Sequence, residues 1–137
     1  MYNTSMAFTT TKPSSDATEH IQSLLPLSAV DYHLLLVLAE RDLYGYAILR
    51  SMAEESRGSV RLDIGSLYRA LARLETTELV EPTSAPDEGA GAHPGRPRRY
   101  YRLTGLGRAV LTEEARRLQN AVRLAQEREL LSGSASR

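Results

Sequence analysis

Two groups of arginines carry the chemistry open to this sequence. Arg69 and Arg73 stand one helical turn apart in Ile64-Gly65-Ser66-Leu67-Tyr68-Arg69-Ala70-Leu71-Ala72-Arg73-Leu74-Glu75, and Ser66 falls on the same side. A second group, Arg96, Arg98 and Arg99, lies in Gly95-Arg96-Pro97-Arg98-Arg99. A guanidinium is always charged and offers a planar fork of donors that fits phosphate oxygens and the guanine edge. On the first stretch alone, a solvated face that happens to carry arginines is an equal reading. The second group tips the balance toward binding an extended polyanion.

Bond-making chemistry finds less support. The chain has no Cys, its three His are scattered, and no Gly-rich phosphate loop follows a strand. Asp87-Glu88 is an adjacent pair in a polar stretch, which is more often solvated charge than an acid/base couple. His33 has no second His or carboxylate at ligand spacing and reads as a satisfied histidine of the fold. We therefore expect no enzyme, no metal site and no cofactor.

Composition sets outer bounds. The 137 residues suit one domain plus an extra element. Seventeen basic residues balance seventeen acidic ones, so the chain is not held on a polyanion by bulk charge. The charge is instead local. Residues 28–56 hold two Arg against five acids, whereas residues 57–108 hold nine Arg against six acids. Absence of Cys fits a reducing cytoplasm, no apolar run is long enough for a membrane span, and the N-terminus lacks a secretory pattern.

The elements that must position the arginines follow from periodicity and caps. Leu62 to Leu79 reads as a helix: Ile64, Leu67, Leu71 and Leu74 make its buried stripe, and Asp63 is its N-cap. Ahead of it, Ser28 with Asp31 resembles a capping box opening a helix over roughly 29–40, so rich in Leu that it must be buried nearly all round. A second helix, roughly 44–56 with Ile48, Leu49 and Met52 as core, ends at Gly58. Two short helices with a tight connection form a helix-turn-helix. Leu79 to Pro82 reads as a short edge strand, 83–97 as a loop, and Arg98 to Leu103 as the return strand. Helix-turn-helix, strand, long loop and strand make a winged-helix pattern, with Arg96, Arg98 and Arg99 on the return side of the wing.

Thr104 caps a last helix over roughly 105–131, about 40 Å long at 1.5 Å per residue. Leu111, Ala115, Leu118, Val122 and Ala125 recur along it with heptad-like spacing, beside a second line of Ala121, Leu124 and Leu131. So much apolar surface at the end of a small domain predicts pairing with a second copy. The expected organisation is a disordered N-terminal arm over 1–27, a winged-helix unit over 28–104, a dimerisation helix over 105–131 and a frayed tail over 132–137. In class, this is a mainly α chain with a small β-wing (α+β).

With these motifs in order, the chain resembles the PadR family of transcriptional regulators, in its short C-terminal subfamily. The resemblance covers roughly 28–131. It rests on Leu43-Tyr44-Gly45-Tyr46, on Gly65-Ser66-Leu67-Tyr68 through Leu71 and Leu74-Glu75, and on Arg98-Arg99-Tyr100-Tyr101-Arg102-Leu103-Thr104. It implies a homodimeric winged-helix repressor on a pseudo-palindromic operator, often relieved by a small apolar or aromatic effector. Two departures stand out: Arg69 occupies a position that is usually Pro, and the wing is longer than the minimal form. The last helix also has no Trp, Phe or Tyr, so planar ligands are expected to bind there weakly or not at all.

The expected partners are double-stranded DNA and a second copy, with no membrane and no sequence support for a small-molecule effector. The expected DNA-contacting residues are Tyr44, Ser66, Tyr68, Arg69, Arg73, Arg96, Arg98 and Arg99. Arg73 is expected to read a base and Arg96 to act on the backbone or minor groove. The expected dimer residues are Leu111, Ala115, Leu118, Val122 and Ala125. The expected location is the cytoplasm, on the bacterial nucleoid when bound to DNA. The rival reading is a winged helix that binds protein rather than DNA.

Overall fold

A computed structural model describes residues 15–85 and 99–131. Five helices and three strands follow in the order α1 (Ser15–Ser23), α2 (Ala29–Glu40), β1 (Leu43–Tyr44), α3 (Gly45–Glu55), α4 (Ile64–Thr76), β2 (Val80–Thr83), β3 (Tyr100–Leu103) and α5 (Gly105–Glu127). Three helix starts use the side chains that the sequence offers. The Ser28 hydroxyl accepts from Asp31 N at 3.0 Å, Asp63 Oδ1 from Ser66 N at 2.7 Å, and Thr104 Oγ1 from Gly107 N at 2.9 Å. Each satisfies one backbone donor that the first helical turn leaves without a partner.

Three helices also stop in one way. The N–H groups of Gly58, Leu79 and Leu130 reach back to the carbonyls of Ala53, Leu74 and Ala125. The residue before each donor lies in the left-handed region: Arg57 at φ 56°, Glu78 at φ 66° and Glu129 at φ 63°. This is the Schellman ending, built here on residues other than glycine. It turns the chain sharply from α4 into β2.

The core sits where α2 crosses α3, α5 and β3, with α4 packed on α3 and β2. Leu34 and Leu35 of α2, Ile48 and Met52 of α3, Leu67 and Leu71 of α4, and Val110 of α5 are fully buried. Removing each such side chain from water stabilises the fold by roughly 1.5–3 kcal/mol. The sheet order is β1-β3-β2, antiparallel throughout. Pro82 faces Tyr101 on edge strand β2, where its missing N–H costs no ladder bond to a third strand. On the same pair of strands Glu81 is opposite Arg102, whose Nε donates to it at 2.6 Å. The fold is thus a winged helix with a long last helix.

Several expectations change. The arm does not run unstructured to residue 27: α1 occupies Ser15–Ser23 and packs against α5 through buried Ile21. Its own sequence is too short and polar to hold a helix, so tertiary contact supplies the stability. Leu43 and Tyr44 form a third strand, paired with Tyr101 and Tyr100, where a helix start was expected. Residues 105–131 are not separate from the winged-helix unit, because Val110 and Leu111 lie in the same core. Regular helix ends at Glu127 rather than 131. The expectations for residues 1–14 and for the tail at 132–137 lie outside the described residues.

Candidate nucleic-acid interface

The outward face of α4 is fixed from beneath. Leu67, Ala70, Leu71 and Leu74 are buried, so Ser66, Tyr68, Arg69, Ala72 and Arg73 must turn to the other side. Tyr68 is 42% exposed, which leaves its ring available at the surface. The Arg69 guanidinium donates to Ser66 Oγ at 3.0 Å. That hydroxyl lies beside the cap, where the Ser66 N–H and hydroxyl hold the Asp63 carboxyl below its usual range. Asp63 is thus a charged cap whose Oδ1 is engaged by the first turn of the helix.

Arg73 behaves differently. Its Nη2 donates to Asp31 Oδ1 at 2.6 Å, with the Arg73 side chain 54% exposed and Asp31 13% exposed. The expected capping box at Ser28 is therefore half a box. Ser28 caps Asp31 N, but the Asp31 carboxylate reaches across to α4 instead of back to Ser28 N. Arg73 ties the second half of α4 to the first turn of α2.

Tyr44 faces the sheet. Its ring meets Tyr100 edge-on with centroids 5.4 Å apart, which makes it a half-buried strand residue. Arg99 is exposed at the foot of the wing, its guanidinium 5.8 Å from the centre of the Tyr101 ring. Burial pushes the Tyr101 hydroxyl up, and the nearby Glu75 and Tyr68 act in the same direction against Arg99. Glu75 and Tyr68 of α4 thus lie close enough to Tyr101 to act on its charge. Arg96 and Arg98 lie outside the described residues, so the structure brings together Ser66, Tyr68 and Arg69 on one face with Arg99 at the wing root.

Of the expected dimer residues, Leu111 is 6% exposed inside its own core and is not free for a second chain. Ala115 is exposed, Leu118 and Ala125 are half-buried, and Val122 is 46% exposed. Leu130 and Leu131 are exposed further on. Exposure along this side of α5 therefore starts one turn later than the expected seam.

Two features were not anticipated from sequence. Glu114 is buried, receives both Nε and Nη2 of Arg117 at 2.8 Å, and accepts from Leu27 N at 3.3 Å. Arg117 holds its carboxyl below the usual range against the opposing effect of burial. Only its i,i+3 spacing from Arg117 hinted at this. The other feature is Gly45, which lies directly under the Tyr68 hydroxyl. Among the described residues no cluster of His, Asp or Glu could hold a metal ion, and no helix is long and apolar enough to cross a membrane.

The model of the transcriptional regulator PadR-like family matches residues 34–113. A transcriptional regulator of Mycobacterium tuberculosis is 34% identical over 96 residues, spanning 70% of this chain and 81% of that protein. A PadR family transcription regulator from Clostridium difficile R20291 superposes with a TM-score of 0.60 at 25% identity, covering 73% of this chain and 97% of that one. Bacillus subtilis PadR, solved in complex with operator DNA, shares the fold with a TM-score of 0.51 at 21% identity, over 63% of this chain and 46% of that one.

Proposed function

The chain belongs to the PadR-like family of transcriptional regulators, and from that premise we propose that it is a sequence-specific repressor that binds a pseudo-palindromic operator as a homodimer. The observation that carries this reading is the outward face of α4, where Ser66, Tyr68 and Arg69 stand clear of a buried stripe that fixes their direction. In this reading α4 enters the major groove. Arg69 reads a base edge, worth roughly 1–3 kcal/mol of discrimination for a bidentate guanine contact. Ser66 and Tyr68 meet flanking groups, and Arg99 with Arg96 and Arg98 brings the wing to the backbone or minor groove. Tyr44 acts behind this surface by seating β1 against Tyr100. Arg73 serves as a clamp between α4 and α2.

The open stripe of α5 from Ala115 through Leu118, Val122 and Ala125 supports the dimer. A two-fold axis through it would present two copies of α4 to half-sites on successive turns of one DNA face. Repression then follows from occupying promoter DNA. The operator complex of the Bacillus subtilis relative is in keeping with this partner.

Selection of bound duplexes from a random pool tests the proposal. The expected result is an enriched sequence with inverted half-sites, and affinity that falls steeply as salt rises. An unenriched pool would favour the rival, a winged helix that docks on protein.

A further inference from the structure

The short stretch from Leu27 to Asp31 joins contacts from two different helices. Leu27 N donates to Glu114 Oε2 of α5 at 3.3 Å. In the first turn of α2, Asp31 Oδ1 accepts from Arg73 Nη2 of α4 at 2.6 Å. Ser28 stiffens the link between them. Its hydroxyl accepts from Asp31 N at 3.0 Å and its carbonyl from Tyr32 N at 2.9 Å. The far end of α2 is tied to α5 as well, because Arg108 Nη2 donates to Ala39 O at 3.2 Å. α5 thus holds α2 near both ends, and α2 holds the last turn of α4 through Arg73.

Stability alone gives a poor account of Glu114. It is 1% exposed, and an apolar side chain of similar volume often serves a core as well as a buried charge does. What the carboxylate adds is direction. Arg117, on the same helix, fixes its two oxygens at 2.8 Å each, and one of them takes the Leu27 N–H. α4 itself packs on α3 and β2, so the Asp31–Arg73 pair ties it past these neighbours to α2. We propose that Glu114 is a positioning residue for α4. Through Leu27, Ser28, Asp31 and Arg73 it sets the angle between α5 and α4, and with it the half-site spacing that the dimer accepts. Spacing follows because α5 carries the proposed two-fold axis and α4 the proposed reading face.

The inference rests on the reading of the chain as a dimeric operator-binding regulator, and the test separates the two. The chain has no Cys, so Ala72→Cys on the exposed side of α4 takes a single spin label in the full-length protein. Pulsed dipolar spectroscopy then measures the α4-to-α4 distance in the dimer without DNA. Glu114→Met fills the same space without an acceptor, and Asp31→Ala cuts the link at its other end. Both should broaden a distance distribution that is narrow in the parent. In unlabelled protein, affinity is compared on the selected operator and on versions with the half-sites moved one base pair closer or farther. The preference for the selected spacing should fall by roughly two- to fivefold, the scale of a link that passes through one ion pair half open to water. The double variant should fall no further than the stronger single one, since both break one chain of contacts. Ile48→Val trims the core outside this chain; it should lower the thermal midpoint and change neither the distance nor the spacing preference.

A narrow distance and an unchanged spacing preference in Glu114→Met overturn the inference and leave the DNA-binding reading intact. Additive losses in the double variant also overturn it, because the two residues would then act separately. So does an equal broadening in Ile48→Val, which would reduce the effect to lost stability. A parent without an inter-copy distance, or without salt-dependent operator binding, removes both proposals.

Discussion

Tyr68 lies across Gly45, so that a Cβ on the glycine would stand 2.5 Å from the phenol oxygen and 3.0 Å from Cζ. The two motif tyrosine and glycine segments, separated by a whole helix in sequence, are therefore one packing unit at the surface. The bare backbone at the start of α3 sets where α4 can hold its exposed ring.

Gly45→Ala should consequently act on binding more than on stability. The group in its way is the far end of an exposed, flexible side chain, which can swing aside. We expect stability to change by within about 1 kcal/mol, while affinity for the selected operator falls as Tyr68 is displaced. Thermal unfolding beside operator titration checks this. A large loss of stability would mean that Tyr68 is locked in place rather than free to move.

Gly107→Ala should show the opposite balance. A Cβ there would lie 2.1 Å from the Leu79 carbonyl oxygen and 2.8 Å from Leu103 Cδ1. Backbone cannot move aside, because the same carbonyl accepts from Thr104 N at 3.1 Å and Thr104 Oγ1 donates to Glu78 O at 2.7 Å. The overpacking should cost about 3 kcal/mol or more, measured as a shift in the midpoint of urea unfolding.

Asp31 and Arg73 offer a test of which arginine reads DNA. A double-mutant cycle on Asp31→Ala and Arg73→Ala should give a coupling of about 0.5–1 kcal/mol, modest because the arginine side of the pair is open to water. With Arg73 occupied by Asp31, Arg69→Ala should remove sequence preference at one base of each half-site and Arg73→Ala should not. If Arg73→Ala alone relaxes the selected sequence, the pair opens on DNA and Arg73 is a reader.

These contacts mark where sequence reading stops. Apolar periodicity and the side chains Ser28, Asp63 and Thr104 are local signals, and they sufficed for α2, α4, α5 and their caps. Strand β1 is two residues long and exists only because β3 pairs with it from far along the chain. Helix α1 depends on α5 in the same way. Arg73 looked like a reader because its face is open, but the partner that occupies it lies on another helix. Leu111 fitted the heptad spacing of a seam, yet a period cannot say which partner covers a face.

Acid should loosen the junction of α5 with the segment before α2. Arg117, and to a lesser degree Leu27 N, hold the buried Glu114 carboxyl below its ordinary range. Its folded value is depressed, so its contribution is fully present above the ordinary carboxylate range. That contribution is lost as pH falls through the lower, folded value. Glu114→Gln should flatten this part of the stability–pH curve below about pH 4.5, the ordinary value for a glutamate. At neutral pH the substitution should lower stability modestly, because the buried site of Glu114 exchanges a carboxylate that accepts two Arg117 donors for a neutral amide. Chemical unfolding from neutral pH downward compares the two proteins.

Val122 is 46% exposed in one copy and Leu118 half-buried, whereas Leu111 is sealed in the core. Substitutions along one helix should therefore separate folding from assembly. Leu118→Glu with Val122→Glu places like charges across the proposed two-fold axis, where burying them unpaired is costly. Sedimentation equilibrium should find monomers, with helical content and the packing of α2, α3 and α4 retained. Leu111→Ala should instead lower the stability of each copy by about 2–5 kcal/mol through the cavity that it leaves. The parent's thermal midpoint should rise with concentration, as it must for a dimer, and that of the double variant should not. Operator affinity should drop steeply in the monomer, because the second half-site would no longer be delivered with the first. A double variant that still sediments as a dimer would place the interface elsewhere, with α1 and the exposed Leu130 and Leu131 beyond α5 the next surfaces to alter.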